Sequence, residues 1–293
     1  MSALRDLLPT RRVESWKYSD LRAALADTAL PPAPTELRAA SIIAQLAPGA
    51  TETRRIDEDE LLIERFDETG LDARADEYVV APGRRLTRVL LQTGPDTPLS
   101  YISVRLGAGA AFEQFVLAEG ARLARIETHV IVEGDNAEVT LNGVYLAGSG
   151  RHADLTSTIA HRAPGGVTRQ TVKGVARKRG RGVFQGRILV ERAAQKTDAR
   201  QHHQALLLEE GAEVFAKPEL MIHADDVACA HGNTVGALDE SALFYLRARG
   251  VPEGAARALL VEAFLVQAIP DFVGGDLRAE IERRIRNWLE AGP

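Results

Sequence analysis

Cysteine is nearly missing from this sequence: Cys229 is the only cysteine among its 293 residues. A single cysteine excludes an internal disulfide bond and any zinc site that takes two or four cysteine ligands from the same chain. It fits a reducing compartment. Aromatic residues are also scarce, at 5% of the chain. That content is low for an enzyme with a long, aromatic-lined carbohydrate groove.

Long apolar runs, targeting features and common catalytic motifs are missing too. No stretch approaches the roughly 20 apolar residues that a membrane-spanning helix needs. The first residues mix charges of both signs and lack the apolar core of a signal peptide. There is no phosphate-binding glycine loop, nucleophile elbow or HExxH motif, and a net charge of −5 disfavours nucleic acid as a partner. We expect a cytoplasmic protein that binds neither membranes nor nucleic acid.

Three regions differ in pattern, and we interpret them as three domains. Residues 1–84 are mixed and largely helical, with a helix start at Ser19–Asp20 and a linker at Pro31–Pro34. Residues 85–238 are rich in short β-branched runs and predict a β core. Residues 239–293 carry apolar stripes at helical spacing and predict a helical domain.

The β region is punctuated by glycine turns of one type. They occur at Gly107–Ala110, Glu133–Val139 and Glu210–Val214, between predicted strands such as Tyr101–Leu106 and Gly182–Val190. Many short strands without intervening helices fit a sandwich, a barrel or a β-solenoid. The weak repetition of the turns favours the solenoid, although periodicity alone leaves the choice open.

The C-terminal helices have two interpretations. Apolar stripes predict helices over Asp239–Gly250, Pro252–Ile269 and Asp276–Glu290. The simpler interpretation is that these helices cap the open end of the β domain. The alternative is that their wide apolar surface docks a partner.

The most informative segment is Ala224–Gly236, which places the only cysteine two residues before a histidine. In a strand, Cys229 and His231 point to the same face, and a thiolate with an imidazole suits zinc, copper or iron–sulfur chemistry. Two ligands are half a coordination sphere, so other residues or another protein must complete the site. The alternatives are a buried structural thiol and a self-sufficient metal site that adds His223.

The remaining charged clusters are interpreted as turns. Asp225–Asp226 is typical of a turn in which carboxylates accept from backbone N–H groups. Adjacent His202 and His203 face opposite sides of a strand and are not expected to chelate together. A basic cluster is interpreted as a solvated turn rather than a phosphate site. Its members are Lys173, Arg177, Lys178, Arg179 and Arg181.

Four stretches resemble the SufD family of the SUF iron–sulfur cluster assembly machinery. These stretches are Glu14–Leu21, Leu206–Leu220, Ala224–Gly236 and Leu243–Gly250. The third is the most specific, and the first contains Trp16-Lys17-Tyr18, which resembles the N-terminal motif of that family. A SufB-type paralogue usually carries several cysteines, so the single cysteine and the Trp16 motif favour SufD.

The resemblance implies a right-handed parallel β-helix with helical segments at both ends, and a non-catalytic scaffold function. It implies pairing with a SufB-like subunit around Val227, Thr234 and Val235, and a transient Fe–S cluster shared with that subunit at His231 and Cys229. It also implies docking of a SufC-like ABC ATPase, which would supply the ATPase activity. The expected docking residues are Leu243, Phe244, Tyr245, Leu246, Arg249 and Gly250.

Further expectations concern the isolated chain. It is expected to hold no cofactor of its own. The edges of its last strands suit a homodimer, and the sequence leaves open whether a homodimer or a heterodimer is the working form. The chain is shorter than many family members, so functions of a large N-terminal helical domain are not expected. A SufB-like paralogue and a β-helix carbohydrate-active enzyme are the alternatives, and the sequence leaves open whether a flavin joins the complex.

Overall fold

The structure is a computed structural model that describes residues 3–31, 41–48 and 52–291. Within these residues the chain winds into a two-sheeted parallel β-solenoid with helices at both ends. Sheet A contains β1 (Thr53–Ile56), β3 (Leu71–Val80), β5 (Thr97–Leu106), β7 (Ala124–Val132), β9 (His152–His161), β11 (Arg181–Val190) and β13 (Glu213–Ile222). Sheet B contains β2 (Glu60–Phe66), β4 (Arg85–Gln92), β6 (Ala111–Ala118), β8 (Glu138–Ala147), β10 (Val167–Ala176), β12 (Asp198–Leu207) and β14 (Ala228–Gly236). Each strand pairs in parallel with the strand one coil away.

The predicted solenoid with helical ends is confirmed, and a sandwich or barrel is excluded. Strands begin at Thr53, earlier than residue 85, where the sequence analysis started the β core. The physical reason is visible in β2, where Leu61 and Ile63 point outward and are exposed, while Glu64 binds the buried Arg88 inside the solenoid. Because apolar residues face outward and a charged residue faces inward, the sequence pattern does not look like that of a strand. The division into three domains stays a prediction.

Inward side chains fill the solenoid so closely that some positions must be glycine. The ring of Tyr145 is buried between two coils. A Cβ atom at Gly174 would stand 1.9 Å from this ring, and one at Gly182 would stand 2.2 Å from it. Glycine at these two positions therefore makes the space that the tyrosine occupies.

The C-terminal helices cover the outer face of sheet B. They are α4 (Glu240–Ala248), α5 (Glu253–Val266) and α6 (Gly275–Glu290). Residues of α5 and α6 pack against outward apolar side chains of the even-numbered strands, such as Phe115, Leu146 and Val175. The interpretation that these helices cap the open end of the β domain is therefore wrong for α5 and α6.

The same helices overturn part of the interpretation of the basic cluster. Lys173 lies under α5, with Nζ 4.5 Å from the ring centre of Phe264, and it donates to Gln267 Oε1 at 2.6 Å. The guanidinium of Arg177 stacks at 4.0 Å on Trp288 of α6. These two residues are buried and fasten the helices to sheet B, while Lys178 and Arg179 are exposed, as a solvated turn requires.

The N-terminal segment packs on the outside of sheet A. It contains α1 (Ala3–Leu7), a 3-10 turn (Glu14–Trp16) and α2 (Leu21–Ala24), and α3 (Ile42–Leu46) follows. Within the proposed linker, residues 32–34 lie outside the described residues. The helix predicted from Ser19–Asp20 is present but short, and Asp20 caps it by accepting from Ala23 N.

A buried ion pair anchors this segment. Arg125 and Asp154 are almost completely buried, with Nη1 and Oδ2 2.7 Å apart. Trp16 stacks on the Arg125 guanidinium at 4.0 Å, and Ser19 Oγ donates to Asp154 Oδ2 at 2.5 Å. A charge pair on the outward side of sheet A thus holds Trp16 and Ser19 of the N-terminal segment. This group of four residues is called the N-terminal anchor below.

The helices of the described ranges are all too short or too polar to span a bilayer.

Removing one charge of the N-terminal anchor is expected to destabilise the fold strongly. Asp154→Asn leaves the buried Arg125 with only Glu127 as an acidic partner, and breaking a buried pair typically costs about 3–5 kcal/mol. Urea unfolding monitored by circular dichroism measures the loss. The matched control is Asp57→Asn, because Asp57 and Arg55 are both more than half exposed and such pairs contribute little. Equal losses in the two variants would contradict this account.

Stability is also expected to fall in mild acid. Burial lowers the pKa of His203 to about 4 from 6.5, so the unfolded chain takes up a proton at a higher pH than the folded chain does. The free energy of unfolding should therefore decrease as pH falls from 6.5 to about 4. His161 and His152, whose pKa values burial also lowers to about 4, add to this slope.

Replacing His203 with Gln should reduce that slope by up to about 1.4 kcal/mol per pH unit, the value for one proton. Phe184→Leu is the control, since Phe184 stacks on His203 with ring centres 4.9 Å apart but does not titrate. It should lower stability equally at every pH. Unfolding curves recorded between pH 4 and 7 measure the slope of the free energy of unfolding against pH. An unchanged slope in His203→Gln would refute the prediction.

Candidate functional site

The solenoid ends in two strands that each have one unpaired edge. Within the described residues β13 pairs only with β11, and β14 pairs only with β12. Most of their side chains are exposed or half-buried, whereas the preceding coils are largely buried. The backbone N–H and C=O groups along these two edges therefore have no neighbouring strand among the described residues, which favours pairing with a strand from another chain. These two strands are called the open end below.

Cys229 and His231 both point into the last coil. They stand in register with Ala199 and Gln201 of β12, whose side chains are buried inside the solenoid. Residues in register on neighbouring parallel strands point to the same face of the sheet. Cys229 and His231 therefore project together, as expected from the sequence. Cys229 is half-buried and packs against the apolar interior, while His231 is exposed because no coil covers it.

The environment of Cys229 does not favour the thiolate. Burial raises the pKa of the Cys229 thiol, and a backbone hydrogen bond with Ala199 offsets this only in part. A thiolate is the form that binds metals. In the part of the chain that the structure describes, no three His, Cys, Asp or Glu side chains gather as a metal site. Cys229 and His231 thus offer two donors, and the other described residues do not complete a coordination sphere around them.

Other sequence candidates near this segment are not brought together. His223 follows β13 in sheet A, whereas His231 lies within β14 in sheet B, so the two histidines do not line one face as their spacing suggested. Asp225 and Asp226 are exposed, and Asp226 forms an ion pair with Lys196 and accepts a backbone hydrogen bond from it. The acidic pair thus lies in a turn.

A row of buried amides lies beneath His231. Gln201 Nε2 donates to Gln170 Oε1 at 2.8 Å, and Gln170 Nε2 donates to Ser157 Oγ at 2.9 Å. Gln201 Oε1 is buried without a hydrogen-bond partner among the described residues. The next coil sets His231 in register with Gln201. Gln201 was not among the candidates predicted from the sequence, because nothing in the sequence marks which glutamines face inward.

The residues expected at a subunit interface differ in their exposure. Val235 is 38% exposed and continues the inward column above Ala205. Thr234 stands over the exposed Gln204 and faces outward. Val227 is half-buried against the apolar interior. Two of the three therefore present a surface, and Val227 supports it from within.

The residues expected to dock an ATPase lie on and just after α4. Phe244 and Tyr245 are 73% and 58% exposed, and the guanidinium of Arg249 stacks on Tyr245 at 5.2 Å. Leu243 is buried and Leu246 is half-buried, so they hold the helix in place. Gly250 ends the helix with a positive φ of 87°. Exposed aromatic rings on a helix are typical of protein contacts.

A second apolar surface lies between α5 and α6. A cavity of about 580 Å³ is bounded by Ala255, Ala258 and Leu259 on one side and by Leu289 on the other, with Glu262 and Arg286 at its rim. Leu259 is half exposed. The C-terminal helices therefore present apolar surface on α4 and again between α5 and α6.

The fold and the open end define a class: a two-sheeted parallel β-solenoid with an unpaired last coil and helices along one sheet. A sequence model described as "SUF system FeS cluster assembly, SufBD core domain" matches residues 58–264. This match covers more than half of the chain. The chain belongs to the SufBD core family of the SUF iron–sulfur cluster assembly system, which confirms the resemblance found in the sequence.

Curated relatives agree with this assignment. The chain is 33% identical to protein ABCI7, chloroplastic, of Arabidopsis thaliana over 73% of its own length and 46% of the relative. It is 34% identical to iron-sulfur cluster assembly protein SufD of Escherichia coli over 62% of the chain and 43% of the relative. A SufBD family protein of Synechocystis is 37% identical over 50% of the chain and 32% of the relative. The chain spans less than half the length of each.

The state of Cys229 can be tested because it is the only thiol. Because burial raises its pKa above the ordinary value of 9.0, we expect iodoacetamide to react more slowly with the folded chain than with the chain in guanidinium at pH 8. Mass spectrometry of the alkylated fraction against time and pH measures both rates. A folded chain that reacts faster, with a midpoint at lower pH, would mean that Cys229 is an activated thiolate and would contradict the prediction.

Proposed function

We propose that this chain is a SufD-like scaffold subunit of the SUF iron–sulfur cluster assembly complex. Its open end pairs with a SufB-like subunit, and its C-terminal helices dock a SufC-like ABC ATPase. His231 and Cys229 contribute to a nascent cluster site that the partner completes. The cluster is cargo in this scheme and not a resident cofactor of the chain.

The unpaired open end carries the proposal. Its two free strand edges and its exposed apolar residues Met221, Ile222 and Val235 form a surface that another solenoid end would cover. Strand edges that continue across an interface bury backbone polar groups in hydrogen bonds, as strand addition does in other complexes. Because α5 and α6 lie along sheet B, they leave this end to a partner. In isolation the same edges suit a second copy of the chain.

The chemistry of the end residues supports a shared site. His231 is exposed and supplies an imidazole at the rim. The orphaned carbonyl oxygen of Gln201 suits one N–H of His231, which would fix the tautomer and leave the other ring nitrogen for an iron atom. A partner that covers Cys229 and places cations or metal beside it would lower the pKa of the thiol and make it a ligand.

The C-terminal helices support a docking role and not a catalytic one. Phe244, Tyr245 and Arg249 form an exposed patch that suits a protein surface, and Leu259 marks the groove between α5 and α6. In this proposal the ATPase hydrolyses ATP, and the scaffold transmits the resulting movement to the cluster site. The cytoplasmic location expected from the sequence belongs to the same proposal.

The decisive experiment is anaerobic co-expression with SufB-like and SufC-like partners, followed by purification and measurement of iron and labile sulfide. In His231→Ala we expect the complex to assemble normally and its cluster content to fall about tenfold or more, because even outer partners of metal ligands commonly change affinity 10- to 100-fold. In Val235→Arg a charge enters the apolar end, and we expect less SufB-like protein to co-purify.

The matched control is His202→Ala, because His202 is exposed on the outward side of β12. This variant should keep both assembly and cluster content. Unchanged clusters in an intact His231→Ala complex would assign His231 a structural role only. Full co-purification of the Val235→Arg variant would remove the open end as the pairing surface.

A further inference from the structure

A basic cavity lies where the N-terminal segment meets the solenoid turns. Its volume is about 330 Å³. Its walls combine the small apolar residues Ala23, Ala24 and Leu123 with five arginines and a single carboxylate, Asp20. The five arginines are Arg11, Arg122, Arg151, Arg179 and Arg181. This concentration of positive charge stands out in a chain whose net charge is −5.

Solenoid stacking brings three of the arginines, from successive coils, to the same cavity. Arg122 precedes β7, Arg151 precedes β9, and Arg181 begins β11, so they belong to three successive coils. Arg181 N donates to Arg151 O at 2.8 Å, as expected for adjacent coils. Since neighbouring strands lie about 4.8 Å apart, the three arginines are spread over roughly 10 Å along the solenoid axis.

Within the described residues only two of the five arginines, Arg122 and Arg181, have a carboxylate within ion-pair distance. Arg122 and Arg181 approach Asp96 and Glu213, at 3.7 Å and 2.5 Å, and Arg151 donates to Gly120 O. Among the described residues no carboxylate lies within ion-pair distance of Arg11 or Arg179. Arg179 lines the cavity and lies in a turn with a positive φ of 59°. The sequence analysis assigned Arg179 to a solvated turn, and the fold brings it beside arginines of other coils.

The wall that carries Arg11 is preformed. Ser19 Oγ lies 3.1 Å from His152 Nε2 and donates to Asp154, so the N-terminal anchor fixes the segment against β9. Burial lowers the pKa of His152 to about 4, so this ring lines the cavity as a neutral hydrogen-bonding group. A rigid wall with uncompensated guanidinium groups is suited to an anion.

We propose that this cavity binds a small ligand through a pyrophosphate group. Guanidinium groups match phosphate oxygens in paired hydrogen bonds, and arginines spread over three coils exceed the reach of a single phosphate. The volume lies at the lower end of small-molecule sites. No Phe, Tyr or Trp side chain lines the cavity within the described residues, so the phosphates and not a stacked base determine the affinity.

Isothermal titration of the full chain with inorganic pyrophosphate tests this assignment. We expect saturation at one pyrophosphate per chain, with weaker binding as salt increases. The double variant Arg11→Ala/Arg179→Ala should bind at least about tenfold more weakly, because one hydrogen bond between charged groups already contributes about that factor. Asp20→Asn should bind more tightly, since asparagine keeps the helix cap and removes the opposing charge.

The matched control is Arg84→Ala/Arg192→Ala, which removes two charges from exposed turns outside the cavity. It should retain nearly the affinity of the unmodified chain. Absence of binding, or an equal loss in both double variants, would overturn the proposal. Inorganic phosphate binding as tightly as pyrophosphate would overturn the pyrophosphate assignment. All of these measurements use the chain alone, so they are independent of its proposed role in cluster assembly.

Discussion

In-register parallel pairing is the constraint on which the rest of this structure depends. Each strand satisfies one row of backbone groups with the coil before it and the other row with the coil after it. A solenoid built this way cannot complete itself, because its last coil always has one row left over. In this chain the leftover row is formed by β13 and β14, which also carry Cys229 and His231. The unpaired edges and the two donors therefore lie on the same coil.

The same stacking makes buried polar residues tolerable. A charge or amide inside one coil meets the coil above or below it, and this supplies hydrogen-bond partners at strand spacing. Arg88 reaches Glu64 and Gln114 on neighbouring coils, and Gln201 reaches Gln170. In the part of the chain that the structure describes, the buried carbonyl oxygen of Gln201 lacks such a partner, and it lies next to the last coil. Gln92 Oε1 and His161 Nδ1, on coils farther from the open end, are likewise buried without a hydrogen-bond partner among the described residues, so stacking satisfies most but not all of the interior polar atoms.

Much of the fold was predictable because strand period is a local property. The alternation in the middle coils and the shared facing of Cys229 and His231 follow from two-residue periodicity. Strand β2 was not predicted from the sequence because its charged residue Glu64 faces inward, where it binds Arg88. Lys173 and Arg177 were misassigned because their partners, Phe264 and Trp288, come from helices far along the chain. Stacking also sets Arg122 beside Arg151 and Arg181, which sequence separation conceals. Local pattern thus predicts elements, whereas long-range contacts decide which charges are buried.

The N-terminal anchor has a consequence for the order in which the chain assembles. Ser19 binds Asp154 across 135 positions, and Lys217 binds Glu14 across 203. The ribosome releases residues 14–19 well before it releases the strands that receive them. Each coil can add to the previous one as it emerges, but residues 14–19 cannot complete their polar contacts until β9 and then β13 exist. Residues 14–19 are therefore synthesised early but are among the last to reach their final contacts. Once they have docked, the strands beneath them have already formed.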